Sequence, residues 1–383
     1  MKKPVLFAVL FLMMCVFTQQ EKFQAASLPQ DSTTVHDIAL IPENWEFTPQ
    51  SVEFPEYKSG PAMKLLTSSE PAVLKGMNFT DGTIEYDMEP LDPRFTSIYF
   101  RWQTSKENEC FYFRTGRAGN PQAIDAIQYA PHLDGINLWD LLFHYQTNAD
   151  FRKGEWNHVK LLISGKQMRA YVNDMTRPAL EVPMLEGNTT AGTLAFDGQV
   201  IISHLQVTPR AVEGLAPEAG LDPLGSDPRY LRNWQVSEPI TTDQNIDFSY
   251  EWVPNADTKW EAISAEHRGL VNLTRKFGQG DGRRIVWLKT GIRSEKDQTK
   301  ILHFGFSDEV WVLINESPLY VDKNLYNTPM AKQPDGRCSI ENTSFKVPLQ
   351  AGDNQLMVGV TNFFYGWGIV ARFDDLDGIR LEE

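Results

Sequence analysis

The chain has 383 residues, with 36 Lys and Arg against 50 Asp and Glu, for a formal charge of −14 at pH 7. That balance repels phosphate backbones and excludes nucleic acid as the partner. Three cysteines are too few for a disulfide framework or a cysteine-based zinc site, and the length suits two ordinary domains.

The chain opens as a targeting segment. Lys2 and Lys3 precede the apolar run from Pro4 to Met14, which is too short to span a bilayer, and small residues follow at Ala25, Ala26 and Ser27. Cleavage there makes 1–27 a signal peptide and places the protein in the periplasm, at the cell surface or outside the cell. Removing 1–27 takes away Lys2, Lys3, Lys22 and Glu21, a net +2, so −14 becomes −16. Cys15 offers an alternative as a lipid-anchored cysteine, but Met14 is a poor residue before such a site. No later run is long enough to cross a membrane. After processing only Cys110 and Cys338 remain, either bridged or as two buried thiols.

From Ala62 onward, short runs of Val, Ile, Tyr, Phe and Trp are broken by Gly, Pro, Asn or Asp, with no long amphipathic helix. This predicts an all-β chain of two β-sandwich (jelly-roll) domains in tandem. In the first, over 28–208, the alternation puts Ile84, Tyr86 and Met88 inward and Glu85, Asp87 and Glu89 outward. It sets Ile98, Phe100 and Trp102 against Tyr99 and Arg101, and Phe111 and Phe113 against Tyr112 and Arg114. Gly165-Lys166 reads as a tight hairpin turn. The proline- and glycine-spaced stretch 209–231 reads as an extended linker. In the second domain, 232–383, Ile285–Leu288 and Val310–Ile314 are apolar on both parities, which predicts strands covered on both faces. Gly278-Gln-Gly-Asp-Gly282 reads as a hairpin turn, because neither a helix nor a Lys-Ser/Thr pair follows it.

Phe79-Thr-Asp-Gly82-Thr-Ile-Glu-Tyr-Asp87, Ile98-Tyr-Phe-Arg101-Trp102, Phe111-Tyr-Phe-Arg114, Gly154-Glu-Trp156 and Met168-Arg-Ala-Tyr171-Val-Asn173 give the first half a resemblance. It resembles the concanavalin A-like lectin/glucanase superfamily, in particular its laminin-G-type and 3-keto-disaccharide hydrolase-like members. The second half resembles galactose-binding-domain-like jelly rolls, on Phe304-Gly-Phe-Ser-Asp308-Glu-Val-Trp311-Val-Leu-Ile-Asn315, Leu349-Gln-Ala-Gly352 and Trp367-Gly-Ile-Val-Ala-Arg372. These motifs mark strands and turns, so the resemblance implies fold before chemistry.

Several constellations could carry chemistry. Tyr99, Arg101, Tyr112 and Arg114 form an expected saccharide platform, since tyrosine stacks on sugar C–H faces and guanidinium groups donate paired hydrogen bonds. His144 and the aromatic loop with Tyr365 and Trp367 are added as ligand-binding candidates. The alternative to that platform is plain cross-strand Tyr–Arg packing. Glu85, Asp87 and Glu89 line one face at period two, as the carboxylates of retaining glucanases of that superfamily do; the alternative is a solvated acidic face. Asp374, Asp375 and Asp377 could hold Ca2+ or form a turn. No cofactor other than Ca2+ is expected. The expected function is non-catalytic carbohydrate or glycoconjugate binding in an exported protein, with partner proteins at the cell surface. A glycoside-cleaving enzyme using Glu85, Asp87 and Glu89, or a structural or adhesion module, is the alternative.

Overall fold

Alternating side chains give each strand one oily and one wet face, and the oily faces pair (Ile84, Tyr86 and Met88 join one core with Ile98, Phe100, Phe111 and Phe113). The computed structural model describes residues 34–382 except 59 and 244–246, so the expected signal peptide and Cys15 lie outside the described residues. The chain is nearly all β. Strands 36–209 form two antiparallel sheets, one running Leu180–Val182, Gln167–Val172, Asn157–Ser164, Gly82–Pro90, Val200–Pro209, Gly60–Leu65. The facing sheet runs His132–Leu133, Glu107–Phe113, Thr96–Thr104, Thr193–Gly198, Ala72–Leu74. Ser164 pairs with Gln167, so Gly165-Lys166 is the expected tight turn.

Strands 233–381 form a second sandwich. Its larger sheet runs Trp260–Ser264, Asn233–Ser237, Arg284–Ser294, Gly352–Asn362, Asp308–Ile314, Ser317–Asn324, and a four-stranded sheet covers one face. Val286, Leu288, Val310 and Val312 pack between these sheets. Ile285, Trp287, Trp311 and Leu313 pack on the opposite face under Trp252, as expected of strands apolar on both parities.

The two sandwiches are not beads on a free tether. The first core also takes in Tyr230, Leu270, Cys338 and Val370 from beyond residue 209. The proline-rich stretch forms no strand between Pro209 and Asn233, yet it is pinned to the first sandwich. Lys166 donates its backbone N–H to Pro217, Gly220 donates to Pro183, and Leu215 buries against Leu162 and Tyr171. Cys110 and Cys338 are both buried free thiols, so the bridge left open by the sequence is not formed.

The alternation fails near the end of the strand Thr96–Thr104. The ladder between Thr96–Thr104 and Glu107–Phe113 shifts register after Phe100, and Arg101 has φ +49°. A bulge of this kind reverses parity for the residues beyond it. Arg101 therefore leaves the Tyr99 face and is buried. Trp102, expected inside, instead meets Tyr99 at a ring distance of 5.0 Å.

Candidate functional site

Tyr99 and Tyr112 stand on the outer face of the second sheet of the first sandwich, away from its core, together with Cys110 and Ala195. Loops of the second sandwich close over them. The result is a cleft of about 550 Å³ whose walls include Tyr99, Tyr112, His132, Trp139, Tyr326 and Tyr365, with Arg114, Asn137 and Asp197 as polar groups. The rings meet mostly edge to face: Trp139 lies 4.8 Å from Tyr326 and 5.8 Å from Tyr365, and Phe364 lies 4.4 Å from Tyr365. Tyr326, Phe364 and Tyr365 remain exposed on one side.

Two buried carboxyl groups, one per sandwich, shape this wall. Asp140 accepts the N–H of Gly366, and Asp308 accepts those of Phe363 and Phe364. Burial pushes Asp140 up to about 7 and Asp308 up to about 8, the latter also through the neighbouring Asp140. A Cβ at Gly366 would lie 2.5 Å from Leu141 Cγ and 2.6 Å from Asp140 Oδ1, so any larger residue forces these side chains or the loop to shift. On the opposite wall, Arg114 donates to Gln128 Oε1, to the Tyr112 hydroxyl and to the Asp125 carbonyl, so it positions Tyr112 as well as facing the cleft. Burial lowers His132 to about 4, which leaves its ring neutral at ordinary pH. Asp197 accepts backbone N–H groups of Ser69 and Gly198, and burial raises its carboxyl.

Of the expected platform, Tyr99, Tyr112, Arg114 and Tyr365 come together in this cleft. Arg101 and Trp367 do not. Arg101 is 2% exposed and donates to the Thr80 carbonyl, Asp81 and the Gly165 carbonyl, because the bulge turned it inward. Trp367 is 1% exposed, in the core of the second sandwich beneath the Arg284 guanidinium. His144 is not a cleft residue; it faces Glu186 and His267. Trp139, His132, Tyr326 and Phe364 were not among the expected ligand-binding residues. Only the aromatic run around Tyr365 carried any signal, since the rest arrive from separate loops.

The carboxylates of the acidic strand are each partnered. Asp87 is held between His158 Nδ1 and His204 Nδ1, both at 2.8 Å, and Glu85 lies 3.4 Å from His158 Nε2. Burial opposes Asp87 ionisation, but the two histidine contacts outweigh it and hold the carboxyl below its usual range. Glu89 is buried and accepts from Tyr57 and Lys58. All three carboxylates thus have imidazole, ammonium or hydroxyl partners and lie on the other sheet from the cleft. Glu85→Gln is expected to change stability by less than about 0.5 kcal/mol, as for an exposed ion pair, measured by urea unfolding.

The three aspartates weighed between a calcium site and a turn each have a neighbour of their own. Asp374 faces His303, Asp375 faces Lys300, and the Asp377 N–H donates back to Asp375 as in a turn. A larger hollow of about 710 Å³ sits on the second sandwich between Asn233, Lys289, Asn315 and Asn354. Its one aromatic, Trp234, is buried in the core, so it offers no stacking surface.

No protein-family model and no curated protein matches the chain. Among solved structures, it is similar to the carbohydrate-binding module CBM66 of Bacillus subtilis, at 11% identity and a TM-score of 0.33, covering 43% of this chain and 95% of that one. It is also similar to the Bacillus licheniformis beta-glucanase, at 10% identity and a TM-score of 0.34, covering 46% and 98%. A third likeness is to the exoplasmic/lumenal domain of VIP36 in a Ca2+/Man3GlcNAc-bound form, at 8% identity and a TM-score of 0.33, covering 46% and 88%. Each likeness covers less than half of this chain.

Proposed function

We propose that this protein binds a saccharide or glycoconjugate, without cleaving it, in the cleft between the two sandwiches. The observation that carries the reading is the cleft's lining: Tyr99, Tyr112, Trp139 and Tyr365 present ring surface while Arg114, Asn137 and His132 present polar atoms beside it. A sugar ring has the same mixture, apolar C–H faces and a girdle of hydroxyls, and about 550 Å³ suits one or two rings. Glycoside cleavage needs two carboxyl groups flanking the bond, and among the described residues Asp197 is the single carboxylate of the cleft lining. Arg114 spends three contacts on its own neighbours, which favours neutral over acidic sugars. Placement outside the cytoplasm rests on the segment Lys2 to Ser27, and a surface partner protein on that same placement.

Calorimetric titration against a panel of neutral oligosaccharides tests this. The best ligand is expected to lose at least about tenfold in affinity with Trp139→Ala and again with Tyr365→Ala, each equivalent to roughly 1.4 kcal/mol. Glu85→Gln should leave affinity unchanged. Equal affinity in the Trp139→Ala and wild-type proteins, or reducing-sugar release abolished by Asp197→Asn, would reject non-catalytic binding at this cleft.

A further inference from the structure

His144, Glu186 and His267 converge from three separate places. His144 lies in the short 3-10 turn Phe143–Tyr145 and Glu186 in the loop after the strand Leu180–Val182, both in the first sandwich. His267 opens the turn His267–Gly269 in the second. One candidate ligand atom from each lies within 4.8 Å of the others. Asp222, from the connecting stretch, brings its Oδ1 to 3.9 Å from His267 Nε2. We propose that these residues hold a borderline divalent transition-metal ion, for which Zn2+ is the probe, fastening the two sandwiches and the stretch between them.

Two ring nitrogens here are left without partners. The Nε2 atoms of His144 and His267 are both buried and make no hydrogen bond, although the His267 side chain is only 4% exposed. Buried polar atoms in native proteins are almost always satisfied, so two on facing rings call for an explanation. An ion pair of His267 with Glu186 and Asp222 would account for one of them. It would leave His144 Nε2 with nothing. A metal ion satisfies both imidazoles at once.

The carboxylates point the same way. The Glu186 side chain is 4% exposed, and among the described residues its one hydrogen-bond donor is the Tyr145 hydroxyl at 3.2 Å. A carboxylate that far from water needs a cation. Its backbone is held firmly: the Glu186 N–H donates to the Tyr129 hydroxyl at 2.7 Å, and Arg275 donates to the Glu186 carbonyl at 2.6 Å. Asp222 is oriented by the N–H groups of Leu224 and Arg268. Such outer contacts aim ligands at a metal.

The donor set selects the ion. Two imidazole nitrogens with one or two carboxylate oxygens suit Zn2+, Co2+ or Ni2+, whereas Ca2+ and Mg2+ prefer oxygen alone. Tetrahedral zinc sets its ligand atoms about 3.3 Å apart. The side chains therefore need to draw in by roughly an ångström, within reach of histidine rotation. Two carboxylates against a divalent ion leave the site neutral. This inference is independent of the saccharide reading.

The full chain, stripped with EDTA and dialysed, is titrated with ZnCl2 in a calorimeter and followed by thermal unfolding. One equivalent of Zn2+ is expected per chain, with a rise in Tm of a few degrees that excess CaCl2 does not reproduce. His144→Ala and His267→Ala should each weaken zinc binding at least tenfold, and Trp139→Ala should leave it intact. Glu186→Gln, which keeps the side-chain shape, provides a second ligand variant if a histidine variant misfolds. Co2+ bound in place of Zn2+ should give the visible ligand-field bands of a low-coordinate nitrogen–oxygen site, lost in the same variants. Failure of the wild-type chain to take up stoichiometric zinc, or uptake unchanged in the ligand variants, overturns the proposal.

Discussion

Arg101→Met is expected to lower the stability of the chain by about 3–5 kcal/mol. The guanidinium joins two turns distant in sequence. Its Nε donates to the Thr80 carbonyl, and one terminal nitrogen reaches both Asp81 Oδ1 and the Gly165 carbonyl. Asp81 Oδ1 also accepts the Gly165 N–H at 2.6 Å, so the carboxylate and the hairpin turn depend on the same cation. Methionine fills much of the space but donates nothing, which leaves two carbonyls and a half-buried carboxylate short of a partner. The charge effect is discounted for Asp81, whose side chain is 38% exposed. Arg101→Lys should recover only part of the loss, since an ammonium group cannot reproduce the planar fork. Urea unfolding with the denaturant slope unchanged measures this directly. A cost below about 1 kcal/mol would show that the arginine merely fills volume.

Stability should also fall as pH rises from 6.5 to 8.5, by about 2–4 kcal/mol. Three buried carboxyl groups are responsible. Burial raises Asp140 and Glu109 to about 7 and Asp308 to about 8. Glu109 accepts from the Tyr129 hydroxyl, which offsets its burial only in part. In the unfolded chain all three ionise near pH 4. Between pH 4 and their folded values, the folded chain therefore carries protons that the unfolded chain has released. Their contribution is fully present below about pH 4 and is lost as pH climbs through 7 and 8. Burial lowers His132 to about 4, an effect of opposite sign that is confined to pH below about 6.5, where the unfolded imidazole gains its proton. The contact with Asp87 raises His158, whose contribution is likewise lost as pH rises and adds to the fall in this window. Thermal unfolding across that range should show a falling Tm, and Asp308→Asn should flatten the slope most. A Tm that rises with pH would contradict the burial of these groups. Because Asp140 and Asp308 anchor Phe363, Phe364 and Gly366, affinity for the saccharide proposed above should fall across the same range as the loop they hold loosens.

The sequence by itself determined the sheets. Period-two alternation over Ile84, Tyr86 and Met88 decides which side of a strand is oily, and that is a local property needing no knowledge of the partner strand. The same holds for Val286 to Leu288, whose unbroken apolar run already says that both faces are covered, and for the Gly165-Lys166 turn. The outward direction of Tyr99 and Tyr112 was legible for the same reason. That of Arg101 was not, because one residue at φ +49° reverses the parity and no residue type in Phe100-Arg101-Trp102 demands it. The cleft wall of Trp139, Tyr326 and Phe364, the paired carboxyl groups Asp140 and Asp308, and the meeting of His144, Glu186 and His267 were decided only by the tertiary structure. Each joins loops tens to hundreds of residues apart, brought together when one sandwich packs on the other. Such packing follows from the summed burial of two whole cores and leaves no periodic mark on the few side chains it happens to gather.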